Sequence, residues 1–456
     1  MTYCKECLNK QQKINELEEE IVSLKTKIRY QERTFKEGFF GSSTPSSKIP
    51  VKANSATGQQ HNNGGGKTGH KGYGRSSIEK QDADEVETVK VENICPDCGG
   101  ILEDKGKRTR TVIDCQPIKI KKILYHLERK YCSRCRKTIA AKPPGVLPKC
   151  LYSNHLLTFA AVQHYIYGNT LGQIEKQTGI GYSSLVDALH QLGRILKDVP
   201  KSLIEAYRSA AVKHADETGW RTDGQNGYSW LFCTNDLGIY RFRQSRSASV
   251  PKEVFGDKHL PGVLVVDRYG GYNKIPSKIQ YCYAHLLRDV KDLEKDFPDN
   301  PEIKSFVEAL APQLANAISL RTLEMTPQQF KRQAAKIKDA IIEITNRQAK
   351  HPAIWRIQDI FREKADRLYH WTDDRSVPAD NNLAERELRP LVIARKISFG
   401  SQSVAGSATR ETLMTVLHTL RKRTPDVTAA FKSALDKLAE QANLDLAKAL
   451  FNLNSS

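Results

Sequence analysis

The chain has 456 residues, room for roughly two to four domains and at least one large core. Lysine and arginine number 71 against 52 acidic residues, a formal charge of +19 that favours a polyanionic partner, most often nucleic acid, without excluding a ribosomal or membrane-surface site. No apolar run reaches the ~18 residues of a transmembrane helix, and "MTYCKECLNK" lacks a signal-peptide core, so a soluble, cytoplasmic chain is expected, one in which CxxC pairs mean metal more often than disulfide.

Residues 1–40 carry one clean periodicity. Ile14, Leu17, Ile21, Leu24 and Ile28 alternate spacings of three and four, a heptad seam that predicts a short parallel coiled coil; an amphipathic helix packed on its own protein has the same pattern. Residues 41–80 are rich in Gly, Ser, Asn and Lys with few apolar groups, and read as a flexible basic linker. Within 85–150, "CPDCGG" and "YCSRC" place Cys95 and Cys98, then Cys132 and Cys135, as two halves of a tetrahedral Zn²⁺ site, and the intervening residues alternate like short strands. A zinc ribbon is expected there. A third pair, Cys4 and Cys7, has no assigned role.

Residues 151–200 read as helical. "TLGQIEKQTGIGYSSLVDALHQLGRILK" has the grammar of a helix-turn-helix: a short helix, a turn at Gly179 and Gly181, and a second helix capped by Ser183 or Ser184, with Leu185, Leu189 and Leu192 facing the first. Helical hairpins that never touch DNA share this grammar. Beyond residue 210 the period becomes that of strands. One segment passes through Asp216, a hairpin turns near Asn235 and Asp236, and the buried run "GVLVV" ends at Asp267. Residues 301–370 are helical with breaks at Pro312, Pro327 and Pro352, and a helical C-terminus starts near Thr409.

Asp216 and Asp267 at strand ends, with Glu385 on a helix capped by Asp380, Asn381 or Asn382, could converge as an oxygen-ligand site for two Mg²⁺ or Mn²⁺ ions. Phosphoryl transfer on DNA uses such a site. Each acid alone is also an ordinary surface residue, and Glu217, Asp223, Asp236, Asp257 and Glu387 compete with them. Glu387 points to the far side of a helix from Glu385.

The segments "HADETGW", "VVDRYGGY", "YCYAH" and "DNNLAERELRP", in this order, closely resemble the signature segments of the IS66 family of bacterial insertion-sequence transposases. The resemblance extends back through the helix-turn-helix, the paired CxxC and "FFGSSTPSSK", though not to Cys4 and Cys7. It implies an α/β fold: an RNase H-like core of the DDE class over 205–405, with a helical insertion at 286–375 and a helical region at 406–456, preceded by the coiled coil, the ribbon and the helix-turn-helix-like helices. The family's catalytic acids fall on Asp216, Asp267 and Glu385. Its Cys-x-x-His falls on Cys282 and His285, which is expected to support the site or lie near the scissile phosphate. Asn382 would flank the face of Glu385, and Arg386 would meet phosphate or hold the glutamate's rotamer. The resemblance implies a DNA transposase that binds terminal inverted repeats, cleaves at them and transfers the 3′-hydroxyl to target DNA. Such an enzyme acts as a dimer or higher homo-oligomer, with accessory proteins of the same element. The rival readings are a structure-selective nuclease on the same fold and a non-catalytic DNA-binding regulator.

Overall fold

A computed structural model describes residues 120–134, 136–441 and 443–453, with isolated positions at 13, 16–22, 24, 25, 28, 86, 101 and 118. The linker 41–80, Cys4, Cys7, Ile14, Cys95, Cys98, Cys135 and the side chain of Cys132 lie outside the described residues. Two compact units divide the chain, residues 1–45 with 122–456 and residues 46–121, and the first holds every element below. Leu17, Ile21, Leu24 and Ile28, on the expected seam, are helical and exposed. Among the described residues no helix is long and apolar enough to cross a membrane.

A small antiparallel hairpin comes first, β1 (Arg129–Cys132) with β2 (Lys137–Ala140), and places Cys132 beside its turn. Four helices follow: α1 (Asn154–Tyr165), α2 (Leu171–Thr178), α3 (Tyr182–Ile195) and α4 (Val199–Ser209). Thr170 and Gln173 close α2 with a capping box, and Gly179 ends it in the left-handed region, as the turn grammar predicts. The start of α3 differs from expectation. Gly181 is its N-cap and Ser183 and Ser184 lie exposed inside the first turn; the Tyr182 N–H donates instead to Glu175 Oε1 at 3.0 Å. A carboxylate on the preceding helix thus answers the positive end of α3. Leu185 packs with Ile174 of α2, whereas Leu189 and Leu192 join the main core.

That core is built on a mixed five-stranded sheet in the order β5-β4-β3-β6-β7, comprising β3 (Val212–Thr222), β4 (Gln225–Cys233), β5 (Gly238–Arg243), β6 (Val263–Val266) and β7 (Lys278–Tyr281). The strands β3, β4 and β5 form an antiparallel meander; β6 and β7 continue it parallel to β3. β6 is four buried residues, which fits a strand covered on both faces. The short helix α5 (Ser249–Phe255) lies between β5 and β6. Entry to β6 depends on Gly262. Its φ is +73°, and a Cβ there would stand 2.1 Å from the carbonyl oxygen of Ala211, which accepts the Val263 N–H at 2.8 Å. Gly262→Ala should therefore cost on the order of 3 kcal/mol. Urea unfolding reads this, and a loss below about 0.5 kcal/mol would show that the turn relaxes freely.

Between β7 and Asp380 run α6 (Tyr283–Asp296), α7 (Pro301–Leu320), α8 (Pro327–Asn346), α9 (Pro352–Glu363) and the short α10 (His370–Asp373). Pro327 and Pro352 start helices, as their fixed φ favours. Pro312 does not break α7: a stripe from Ile303 and Phe306 to Leu314 and Leu320 is buried, and that packing outweighs one missing N–H. The chain then forms α11 (Asn382–Ser398), α12 (Val404–Arg423), α13 (Val427–Glu440) and α14 (Leu446–Phe451). Helix α12, which begins five residues before Thr409, covers the edge strand β5. Thr415 Oγ1 accepts the Tyr240 N–H, and Thr419 Oγ1 accepts the Gly238 N–H.

Candidate active site

Asp216 lies on β3 just past the three residues, Val212 to His214, that pair with β6, and Asp267 directly follows the last residue of β6. The two acids therefore stand where adjacent parallel strands part. Asp267 is at the carboxyl end of β6 as expected, but Asp216, expected at a strand end, lies inside β3, which runs on to Thr222 because β4 continues to pair with it. Glu385 comes from the first turn of α11. Along β3 side chains alternate between faces. His214 and Thr218 reach the α11 side, where they meet Asn381 and Arg395, so Asp216 between them points the same way.

Asn381 ties these elements together. Its Nδ2 donates to the Ala215 carbonyl at 2.8 Å, and its Oδ1 lies 2.9 Å from His214 Nδ1. The Asn381 N–H donates to Cys282 Sγ at 3.1 Å, while the next helix down, α6, donates the Tyr283 N–H to Ala379 at 2.7 Å. The start of α11 is thereby bonded to the site strand and to the β7–α6 junction at once.

The electrostatics follow from this crowding. Burial, then Glu217, Asp267 and Glu385, push the Asp216 carboxyl well above the usual carboxylate range, against the Glu217 N–H that donates to its Oδ1. Asp267 Oδ1 accepts the Tyr269 N–H at 3.0 Å. His285 Nε2 is 4.0 Å from Glu385 Oε1, and that oxygen and His285 Nδ1 are buried with no partner among the described residues. The Cys282 sulfur, His285 and Glu385 offer ligand atoms within 4.8 Å of one another. The thiol is a poor ligand, because burial pushes it up to about 12 and its sulfur already accepts the Asn381 N–H. The carboxylates of Asp216, Asp267 and Glu385 have the oxygen chemistry that suits a divalent cation and lie near enough to repel one another. Among the described residues, the group whose ligand atoms already lie together is Glu385 with His285 and Cys282. An orphaned buried carboxylate oxygen and mutually repelling acids are what such a cation would relieve.

The other sequence candidates separate cleanly. Asn382 is exposed, and its N–H donates to Asp380 Oδ1; Asn381 is the asparagine inside the site. Arg386 is exposed and near enough to Asp380 to favour its ionised form. Glu387 turns to α12, where Lys422 and Arg421 stand 3.4 and 3.6 Å from its oxygens. Asp236 pairs with Arg423, and Asp257 with Lys252. Glu217 projects from the face opposite Asp216, against Tyr272 and Arg246, and burial followed by Asp267 raises it to about 7 despite that arginine. Sequence alone marked Glu217 as an acid without its partners, and left Asn381 either a cap or a residue beside the face of Glu385.

The raised acids carry a testable pH signature. A carboxyl with a raised folded pKa contributes stability at low pH and loses it as pH climbs from the ordinary carboxylate range toward the folded value. Without metal, Asp216→Asn should accordingly melt above wild type, by a margin that widens from pH 5 to pH 8. Buried histidines common to both proteins cancel in that difference. Saturating Mg²⁺ should narrow or reverse it, since a ligand at a hundred times its Kd adds about 2.7 kcal/mol. A margin that ignores both pH and Mg²⁺ would dissolve the acid cluster as a cation site.

Two family models match this chain. A model described as Transposase IS66 family matches residues 149–409, which contain Asp216, Asp267, Cys282, His285 and Glu385. A second, described as the zinc-finger binding domain of transposase IS66, matches residues 92–136, which contain Cys95, Cys98, Cys132 and Cys135. Two similar chains come from Sinorhizobium fredii (strain NBRC 101917 / NGR234). The uncharacterized protein y4qI is 24% identical over 415 residues, 78% of this chain and 72% of its own. The uncharacterized protein y4jD is 23% identical over 395 residues, 75% of this chain and 74% of its own.

Proposed function

The chain belongs to the IS66 family of transposases, and on that premise we propose that it binds the terminal inverted repeats of an insertion sequence, cuts DNA at them and joins the freed 3′-hydroxyl to target DNA. The observation that carries this reading is the approach of Asp216, Asp267 and Glu385, from two adjacent strands and a helix, close enough that the other two acids raise Asp216. A meander whose first strand is central, extended by two parallel strands, supports an RNase H-like core over 205–405 with the helices α6 to α10 as its insertion.

Two Mg²⁺ or Mn²⁺ ions held there would supply activation of the attacking oxygen and stabilisation of the leaving one. The protein's own part is positional. Asn381, the Cys282 sulfur and the Tyr283 N–H hold the start of α11, and with it Glu385, against the strand that bears Asp216, and His285 stands 4.0 Å from the glutamate's unpartnered oxygen. Cys95, Cys98, Cys132 and Cys135 would hold a structural Zn²⁺. The ribbon, the basic linker and helices α2 and α3 would read and hold the element's ends. The exposed first turn of α3, Tyr182 to Ser184, is the part of that hairpin open to a groove. The exposed seam at Leu17, Ile21, Leu24 and Ile28 would join two copies so that two ends are paired, with accessory proteins of the element completing the assembly. A regulator that only binds DNA gains nothing from mutually repelling acids facing phosphate, which weighs against that rival.

The test is a labelled duplex carrying the element's end, a scrambled duplex, a branched duplex and an unlabelled target, each incubated with the full chain and Mg²⁺. Nicking confined to the element's end, followed by joining to the target, is the expected result. Cutting of the branched duplex without regard to ends would replace the reading with a nuclease. Binding without cutting, even with the element's accessory proteins added, would replace it with a regulator.

A further inference from the structure

The proposed chemistry makes no use of the pair formed by Glu217 and Arg246, yet the pair stands next to it. Glu217 has a side chain only 2% exposed, and both of its oxygens are taken. Oε1 accepts from Arg246 Nε at 3.0 Å and Nη2 at 2.7 Å, and Oε2 accepts from the Tyr272 hydroxyl at 2.8 Å. A carboxylate so occupied is a holder of something else, and what it holds is the guanidinium of Arg246, whose side chain is 42% exposed. That guanidinium lies 4.2 Å from the centre of the Tyr269 ring and 5.8 Å from that of Tyr228. The Tyr269 hydroxyl donates back to the Arg246 carbonyl, and the Tyr269 N–H donates to Asp267. Arg246 is therefore fixed by an ion pair, a ring face and a backbone bond. Through its holder and its platform it is one residue from Asp216 and two from Asp267.

An arginine needed only to neutralise a buried glutamate has no reason to remain near the surface on two tyrosines. Held as it is, it loses little side-chain freedom on meeting a ligand, and its fork geometry suits phosphate oxygens. Nη1 has no partner among the described residues. A DNA strand approaching three carboxylates also requires a cation beside them to offset repulsion of its backbone.

We propose that Arg246 binds a backbone phosphate of the DNA strand where it runs on from the acid cluster past Asp267, at the end of β6, with Glu217 and Tyr272 setting its position and Tyr228 and Tyr269 forming its platform. The identity of the strand rests on the transposase reading; the phosphate contact does not. The contact carries no sequence information and adds to affinity through released counterions.

Binding of the full chain to the element's end and to a scrambled duplex, with no added Mg²⁺ or Mn²⁺ and no chelator that would strip the ribbon's Zn²⁺, over a KCl series, tests this. Arg246→Gln, which keeps a hydrogen bond to Glu217 but no charge, should flatten the plot of log affinity against log salt by about 0.9 on both duplexes. Arg246→Lys should keep the wild-type slope. Phenylglyoxal labelling of the wild type, read at the peptide containing Arg246, needs no variant, and bound DNA should protect it. An unchanged slope in Arg246→Gln, or labelling undiminished by DNA, overturns the proposal and leaves Arg246 an internal strut. Equal wild-type affinity for the two duplexes would instead sink end recognition, while a slope change on both would leave the phosphate contact standing.

Discussion

Glu385→Gln is expected to bind the element's end as tightly as wild type and to cut it about a thousandfold more slowly. The substitution keeps the side chain's size and removes the one property that a cation site needs from it, the negative charge on an oxygen that no protein donor satisfies. Cation stabilisation of a phosphoryl transfer supplies several kcal/mol; about 4 kcal/mol corresponds to that thousandfold. Folding should not suffer, because Glu385 is one of the charges that raise Asp216, and neutralising it relieves the cluster. Single-turnover cleavage with the binding isotherm beside it makes the separation. Wild-type cutting by the variant would remove Glu385 from the site, and a loss of binding equal to the loss of cutting would make its role structural.

Asn381→Ala should cost roughly 2–5 kcal/mol of stability, since it strands two buried groups at about 1–3 kcal/mol each. One is the Ala215 carbonyl; the other is His214 Nδ1. Because the asparagine's nitrogen is already donating to Ala215, its oxygen must accept, so His214 carries its proton on Nδ1. Burial, opposed by this bond, holds that imidazole down to about 4, neutral across the physiological range. Activity should fall as well, by about a hundredfold among molecules that remain folded, because a shift of the order of 1 Å in the start of α11 displaces Glu385 from Asp216. Urea unfolding and cleavage well below the midpoint read the two effects separately. A variant within 0.5 kcal/mol of wild type that still cuts normally would reduce Asn381 to the cap that its sequence position suggests.

Local chemistry was legible wherever it acts over a few residues. Thr170, Gln173 and Gly179 announce the ends of α2, Asn235 and Asp236 a hairpin turn, and Pro327 and Pro352 helix starts. The alternation around Asp216 and the apolar run before Asp267 announce the two strands that bear the acids. Where local preference met packing, packing prevailed: α7 runs through Pro312, and Glu175 from the neighbouring helix takes the capping place that Ser183 or Ser184 could have filled. The predictions for Asn381 and Arg246 rest on pairs that no window reveals. Asn381 and His214 are 167 residues apart, and Arg246 and Glu217 are 29.

By itself, then, the order of residue types determined the family, the strands and helices near the acids, and which side chains could serve as ligands, because motif order and the two periodicities are written along the chain. It could not say what separates Asp216 from Glu217. Neighbours on one strand, they point to opposite faces, and nothing in the sequence says which face meets Glu385. Tertiary packing does. Asn381 binds α11 to the face of His214 and Asp216, which brings Glu385 there, while Tyr272 and Arg246 occupy the other face and turn Glu217 into a holder.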